Sequence, residues 1–323
     1  MKCENVKIDK IHLIKVDNEN GLVVYFSAMG ASIYAIIFNG VTMTLTPTSM
    51  KGFLANKSYY GKTIGPICGR VKNATIEIDG KEYVLEKNEG ENMLHSGVGG
   101  LSNTVFNAKI MNTPNSFLIM FSHKRKKERK GLPTTVNYYV MYSLSKNENK
   151  IYVSHRVTND NAMVLSLTNH SYFTLGEGSI HGLKVKIPAS KVVEVNPVDM
   201  VPERYIDVPD CLDFRKGAPL TKDINNDYLM NSKTAGIDHF YLLDKKEEPV
   251  ILEGHKFKLE ITSNYQGLQV YTDNYADDVE MKDITARNFR GVALEPQDSP
   301  LERKTYHKGE IYDRYIEYNF IKK

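Results

Sequence analysis

Residues 135–158 read T-V-N-Y-Y-V-M-Y-S-L-S-K-N-E-N-K-I-Y-V-S-H-R-V-T, two runs rich in Val and Tyr around the polar segment Asn147-Glu148-Asn149. Alternation of apolar and polar residues over runs of this length is typical of β-strands. The two runs are therefore predicted to be strands, Thr135–Ser145 and Lys150–Thr158, that form a long antiparallel hairpin. Hairpins of this kind stack into sandwiches rather than βαβ units.

The same alternating signal recurs along the chain between clusters of Gly, Asn, Asp and Pro, and helical periodicity is scarce. Asp79-Gly80 separates two such runs, and this dipeptide favours the positive φ angles of a tight hairpin turn. No internal repeat, linker or shift in composition marks a domain boundary. The sequence therefore predicts an all-β fold, a large antiparallel β-sandwich, with residues 1–323 forming a single domain. The further predicted strands are Ile11–Val16, Leu22–Ser27, Ala74–Ile78, Glu82–Leu85, Ser116–Ser122, Leu183–Ile187, Val192–Val195, Phe240–Leu243, Lys256–Thr262, Gly267–Thr272 and Gly291–Glu295.

Composition and charge restrict the classes of partner. The chain of 323 residues is 41% hydrophobic and 25% charged, which is typical of a globular protein. Its formal net charge of +3 is too small to indicate nucleic acid or a membrane surface as a partner. The basic run His123–Lys130 lies between two predicted strands without interleaved aromatic residues, so it is predicted to be a solvated hairpin tip.

The beginning of the sequence and the cysteines favour a cytoplasmic protein. Polar residues stand where a signal peptide would need an apolar run, and no window approaches the roughly 18 apolar residues of a membrane span. Cys3, Cys68 and Cys211 are odd in number and far apart, as expected of free thiols in a reducing compartment.

Four ionisable residues stand inside otherwise apolar or glycine-rich segments, where burial would be unfavourable unless they are paired or functional. They are His95 in a glycine-rich loop, His170 at a strand end, Asp238, and Glu295 at the end of an apolar strand. Each of these residues, taken alone, is common in proteins and does not indicate a catalytic site. Together, two histidines and two carboxylates suit proton transfer to and from hydroxyl groups, which requires no cofactor.

At these residues the chain resembles the aldose 1-epimerase (galactose mutarotase) family, and the matching motifs follow one another in order along the sequence. Thr168-Asn169-His170-Ser171-Tyr172-Phe173 is similar to the family's T-N-H-S-Y-F motif and is the most specific match. The other matches are Ile64–Val71 with its glycine and arginine, Asn92–Gly97 (N-x-L-H-G-G), Ile237-Asp238-His239 (x-D-H) and Leu294-Glu295-Pro296-Gln297 (L-E-P/T-Q).

The resemblance implies a galactose mutarotase-like supersandwich and an isomerase that interconverts the α and β anomers of a free hexose such as galactose or glucose. Glu295 would be the general base at the anomeric hydroxyl, and His170 the general acid at the ring oxygen. His95 would bind near the ring oxygen. Arg70 and Asp238 would hold the other sugar hydroxyls, Gln269 would contact the sugar near the base, and Asn169 would also bind the substrate. The implied partner is a small sugar, with neither cofactor nor metal, and the protein would be a monomer or homodimer.

Departures from the family pattern concern substrate preference more than reaction type. Gly69 and Pro66 stand where many members carry Asn and Arg, and Ser96 replaces a glycine after the histidine. Thr174 stands in place of a usual Asn, and Phe106 occupies the region of a frequent Trp.

Three other functions are consistent with the same residues. An epimerase of a phosphorylated or larger sugar would carry extra Arg or Lys at the pocket rim, with Arg204 and Arg215 as candidates. A carbohydrate-binding β-sandwich without catalysis would lose only some affinity on Glu295→Gln. A metal hydrolase would use His95, His170, Asp238 and Glu295 as ligands, although no short-spaced pair such as HxxxH occurs.

Overall fold

Three antiparallel sheets contain most of the strands of the protein, for which a computed structural model describes residues 2–126 and 134–323. Side chains from all three sheets meet in one large apolar cluster, and every pair of neighbouring strands in the described residues runs antiparallel. The predicted all-β sandwich is therefore confirmed. No helix in the described residues is long and apolar enough to cross a membrane.

The first two sheets contain five and nine strands. The N-terminal sheet contains, in spatial order, Lys2–Ile8, Ile11–Asp17, Leu22–Ser27, Ser32–Phe38 and Val41–Thr42. The large sheet contains, in spatial order, Asn107–Asn112, Ser116–Arg125, Val136–Ser145, Lys150–Asn159, Ile311–Lys322, Phe257–Ser263, Val250–Glu253, Lys184–Lys186 and Ala218–Pro219.

The third sheet, called the site sheet below, has six strands. In spatial order they are Tyr172–Phe173, Val292–Gln297, Gly267–Tyr271, Asp238–Leu242, Lys191–Val195 and Pro202–Asp207.

Short elements complete the fold. Strand pairs outside the three sheets are Arg70–Val71 with Met93–Leu94, Thr63–Ile64 with Thr168–Asn169, Thr75–Ile78 with Lys81–Val84, and Met163–Val164 with Thr305–Tyr306. The α-helices are Met50–Ala55 and Asp227–Met230, and 3-10 turns lie at Lys72–Ala74, Leu101–Asn103, Ile180–Gly182 and Asp210–Leu212.

Both predicted hairpins are confirmed. Leu144 pairs with Ile151 across the turn at 147–149, and Ile78 pairs with Lys81 across Asp79-Gly80. Asp79 and Gly80 both have positive φ, 52° and 74°, as the tight turn requires. Of the basic run, residues 123–125 continue a strand, whereas the predicted tip at 127–130 lies outside the described residues.

Several strands were not predicted, and most of the predicted strands differ from the observed ones by one to three residues at one or both ends. Ser32–Phe38, Asn107–Asn112, Pro202–Asp207, Val250–Glu253 and Ile311–Lys322 are the longer of the strands that sequence reasoning missed, together with Lys2–Ile8. Ala74, predicted as the start of a strand, belongs to the preceding 3-10 turn.

The strand Val136–Ser145 shows how alternation builds the core. Its even-numbered residues Val136, Tyr138, Val140, Tyr142 and Leu144 are all buried in the main apolar cluster. Burying a large apolar side chain contributes about 1.5–3 kcal/mol, so this one row supplies several such increments.

The strand Val292–Gln297 is buried along its whole length. Val292 and Leu294 belong to the main apolar cluster, whereas Glu295 and Gln297 line a cavity on the opposite face. Successive side chains of a strand point to opposite faces, so the core and the cavity share this strand.

Gly61 lies where no side chain fits. Its φ is +64°, and a Cβ added there would stand 1.7 Å from the backbone oxygen of Ile33. We expect Gly61→Ala to destabilise the protein by about 3 kcal/mol or more, because backbone has to move. Gly80→Ala is the matched control, with a φ of +74° and nothing within 4 Å of the added Cβ, and should cost about 1–2 kcal/mol. Urea unfolding measures both, and equal losses would contradict the prediction.

Candidate active site

A cavity of about 250 Å³ opens on one face of the site sheet. Glu295 pairs in register with Gln269, which pairs with Phe240 on the next strand, so the three side chains form a row across this face. Asp238 lies two residues before Phe240 and faces the same side. The sheet thus presents a carboxyl, an amide and an aromatic ring side by side.

Glu295 and His170 both line this cavity and face each other there. Nε2 of His170 lies 3.4 Å from Oε1 of Glu295, and both side chains are almost fully buried. Oε2 of Glu295 and Nδ1 of His170 are buried without a hydrogen-bond partner in the described residues. Each side chain therefore keeps an unused polar atom.

Burial sets the protonation of this pair. It lowers the pKa of His170 to about 4 and raises the pKa of Glu295 well above its usual value, with the Asp238 charge adding to the latter shift. Both shifts favour the neutral forms, an unprotonated imidazole and a protonated carboxyl. Burial therefore favours a pair that shares a single proton, carried by the carboxyl group rather than by the imidazole.

Backbone hydrogen bonds hold His170 in place from both sides. Its N–H donates to the carbonyl of Lys62 over 2.8 Å, and its carbonyl accepts from the N–H of Gly61 over 2.9 Å. The preceding strand Thr168–Asn169 pairs with Thr63–Ile64. His170 is thus fixed by a segment far away in sequence.

His95 is oriented by the backbone at Gly69. The Gly69 N–H donates to Nδ1 of His95 over 3.2 Å, so the neutral ring carries its proton on Nε2. Burial first, then the charges of His170 and Arg70, lower the pKa of His95 well below its usual value. The rings of His95 and His170 are 5.3 Å apart between centroids. His95 can therefore act as a hydrogen-bond donor beside His170 and Glu295.

Arg70 is held by two carboxylates. Nε and Nη2 donate to the two carboxylate oxygens of Glu89 over 2.7 and 3.0 Å, and Nη1 donates to Oδ2 of Asp238 over 3.1 Å. Burial opposes its charge, but the two carboxylates outweigh burial and raise the pKa of Arg70 above its usual value. Nε2 of Gln269 donates to Oδ1 of Asp238 over 2.6 Å. These four side chains form one polar wall of the cavity.

The structure brings together all but one of the residues predicted for the site. Glu295, His170, His95, Arg70, Asp238 and Gln269 all line the cavity. Asn169 does not. Its amide nitrogen donates to the carbonyl of Gly61 and its oxygen accepts from Ser171 Oγ, so it is a buried structural residue rather than a wall of the cavity.

Of the other residues singled out from the sequence, some line the cavity and others lie elsewhere in the structure. Gly69 lines the cavity, whereas Phe106 is buried in the main core. Arg204 and Arg215 do not line the cavity and pair with Glu194 and Asp213 instead.

Sequence reasoning missed Tyr59, Glu89 and Lys233, which also line the cavity. Lys233 lies 3.4 Å from the Glu89 carboxylate. Glu89 stands in the polar segment 86–92, which reads as a solvated loop, and only its spatial proximity to Arg70 distinguishes it. In residues 2–126 and 134–323, no group of three or more His, Cys, Asp or Glu side chains could hold a metal ion.

Known proteins share both the sequence pattern and the fold. A sequence profile described as aldose 1-epimerase matches residues 12–315. The chain belongs to the aldose 1-epimerase family. A galactose mutarotase of Bos taurus is 30% identical over 263 residues, which is 78% of this chain and 73% of the relative. An aldose 1-epimerase of Haemophilus influenzae is 28% identical over 306 residues, 89% of this chain and 86% of the relative.

The fold is that of aldose 1-epimerases as well. The crystal structure of a galactose 1-epimerase from Lactobacillus acidophilus superposes with a TM-score of 0.89 at 22% sequence identity, covering 100% of this chain and 99% of that chain. The predicted family and the predicted supersandwich are therefore both confirmed, and membership of this family makes the chain an isomerase.

Glu89 should support sugar binding through Arg70. We expect Glu89→Gln to raise the KM for galactose about tenfold, equivalent to about 1.4 kcal/mol, because Arg70 loses a charged partner. Glu91→Gln is the matched control, since Glu91 is exposed in the same loop and pairs with Lys87. Mutarotation kinetics measure both variants, and an equal KM for the two would contradict the prediction.

Proposed function

We propose that this protein interconverts the α and β anomers of a free hexose such as galactose or glucose by acid–base opening and closing of the sugar ring. The observation that carries the proposal is the buried Glu295–His170 pair, which lies in a cavity whose other polar side chains can bind hydroxyl groups. Names of relatives in this family support the same reaction.

The reaction needs one proton removed and one delivered. Burial favours the proton on Glu295, and its transfer across the 3.4 Å gap to Nε2 of His170 gives a carboxylate and an imidazolium. Glu295 then takes the proton from the hydroxyl on C1, while His170 protonates the ring oxygen as the C1–O5 bond breaks. Rotation about C1–C2 of the open aldehyde and closure by the reverse transfers give the other anomer. The pair ends with the proton count it began with.

The neighbouring polar groups orient the sugar. Arg70 has a planar fork and Asp238 two acceptor oxygens, so together they suit adjacent hydroxyl groups. His95 carries its ring proton on Nε2 and can donate to the ring oxygen region. Gln269, beside Glu295 in the row, can bind the hydroxyl nearest the base.

Further proposals concern the whole chain. The main apolar cluster draws side chains from all three sheets, which supports a single domain over residues 1–323. A cytoplasmic location is supported by Cys3, Cys68 and Cys211, all free thiols. A monomer or homodimer, binding a small sugar and no nucleic acid, remains our expectation.

The acid–base pair is tested by polarimetry on freshly dissolved α-D-galactose and α-D-glucose. We expect the wild type to accelerate mutarotation, and Glu295→Gln and His170→Asn each to lower kcat about 10²–10⁴-fold, because each removes one proton-transfer group. The exposed Glu91→Gln variant is the control for substitution as such.

Two outcomes would contradict this proposal. If the wild type accelerates neither sugar, free hexoses are not the substrates. If Glu295→Gln binds galactose with little change and the wild type shows no turnover, the protein is a carbohydrate-binding sandwich.

A second candidate, an epimerase of a phosphorylated sugar, is favoured by one observation. Lys57 and Lys233 line the cavity, and Lys57 is exposed to solvent. Cationic side chains at this position could pair with a phosphate on the substrate.

The lysines make this candidate testable by the ratio of kcat/KM for glucose 6-phosphate to that for glucose. If this candidate is correct, the ratio exceeds one in the wild type and falls about 30-fold in Lys57→Gln/Lys233→Gln, since each of the two lost charge–phosphate contacts contributes roughly 1 kcal/mol. Lys81→Gln, on an exposed hairpin, is the control. A wild-type ratio below one would reject the candidate.

A further inference from the structure

The ring of Tyr59 contacts both site histidines. Its centroid lies 4.9 Å from that of His95 with an interplanar angle of 67°, and 5.7 Å from that of His170. Tyr172 lies against His170 as well, at 5.0 Å. Three rings therefore lie beside the His170 imidazole, those of Tyr59, Tyr172 and His95. Of the two tyrosines, Tyr59 is the one that also contacts His95.

The backbone at Tyr59 adopts a conformation that disfavours a tyrosine. Its φ is +57°, in the left-handed region, where a bulky residue costs about 1–2 kcal/mol relative to glycine. Glycine or asparagine would fit this conformation more readily. Position 59 therefore carries an aromatic side chain although its backbone conformation is unfavourable for one.

Hydrogen bonds on both sides maintain this conformation. The carbonyl of Tyr59 accepts from the N–H of Lys62 over 3.0 Å. The hydroxyl of Tyr60 donates to Asp277 and accepts from Arg290, each over 2.7 Å. The same segment binds the backbone of His170 through Gly61 and Lys62. Tyr59 is thus fixed relative to the histidine that it contacts.

We propose that Tyr59 is a positioning residue of the acid–base site, whose ring fixes the orientation of the His95 and His170 imidazoles and keeps water away from them. This inference rests on the proposed function and names a residue that acts through the histidines. Its role belongs to the ring rather than the hydroxyl, because the ring makes the contacts with both imidazoles.

Removal of the Tyr59 ring should change the pH at which His170 titrates. The groups facing His170 are Glu295, Asp238, His95 and the rings of Tyr59 and Tyr172, and those facing His95 include Arg70. Burial is the largest cause of the lowered pKa of both histidines. Water entering at the Tyr59 position would relieve that burial, so the pKa of His170 would rise from about 4 towards its ordinary value.

Two substitutions separate the ring from the hydroxyl and from the backbone. Tyr59→Phe keeps the ring, and we expect kcat for galactose mutarotation within about twofold of wild type. Tyr59→Asn removes the ring but suits the left-handed backbone, so it should fold normally. In Tyr59→Asn we expect kcat to fall about tenfold or more, with KM changed less than about threefold, because the imidazoles lose their fixed orientation.

The pH dependence supplies the readout that a structural role would not change. Protonation of His170 leaves the pair with two protons and no base, so activity falls as pH drops through the pKa of His170. In Tyr59→Asn this acidic limb should move up by about one pH unit, and proton NMR of the His170 ring should show the same shift. Tyr83→Leu, a partly buried tyrosine outside the cavity, is the control.

Each outcome decides the proposal. Loss of kcat with a raised limb in Tyr59→Asn, and neither in Tyr59→Phe, supports it. Wild-type kcat and limb in Tyr59→Asn, or equal loss in Tyr59→Phe, overturns it. If the wild type accelerates no sugar, the proposed function fails, while the NMR titration of His170 still supports or overturns the contact with Tyr59.

Discussion

The strand Val292–Gln297 carries a carboxyl group, Glu295, into a nearly water-free position, and much of the architecture follows from that placement. A buried carboxyl group is tolerated only when neutral or paired. His170 meets this requirement across the site, and the segment around Gly61 and Lys62 holds the His170 backbone by two hydrogen bonds. The same strand therefore contributes side chains to the core on one face and to the cavity on the other.

Alternation predicted the strands that have one face in the core and one in solvent, such as Val136–Ser145. Ser32–Phe38 was missed because nearly all of its side chains are buried, so its sequence lacks a polar face. Ile311–Lys322 was missed for another reason: Arg314 and Tyr315 interrupt the order of buried and exposed positions.

The site was predictable where an ionisable side chain interrupts an apolar run, as at His170 and Glu295. Asn169 was grouped with them because it adjoins His170 in the motif. Neighbouring residues of an extended segment point to opposite sides, so Asn169 faces the core when His170 faces the cavity. Glu89 and Tyr59 could not be predicted in this way. Glu89 stands in a polar loop like many solvated residues, and the positive φ of Tyr59 is not evident from the sequence.

The strand Ile311–Lys322 pairs with Lys150–Asn159 on one side and with Phe257–Ser263 on the other, and so joins the two halves of the large sheet. It is also made after both of them and after Val292–Gln297. A nascent chain on the ribosome therefore carries two open sheet edges until this strand emerges, and open edges are prone to wrong pairing. The two halves of the large sheet therefore stay unjoined until the last of its strands has been made, and wrong pairing competes with the native pairing up to that point.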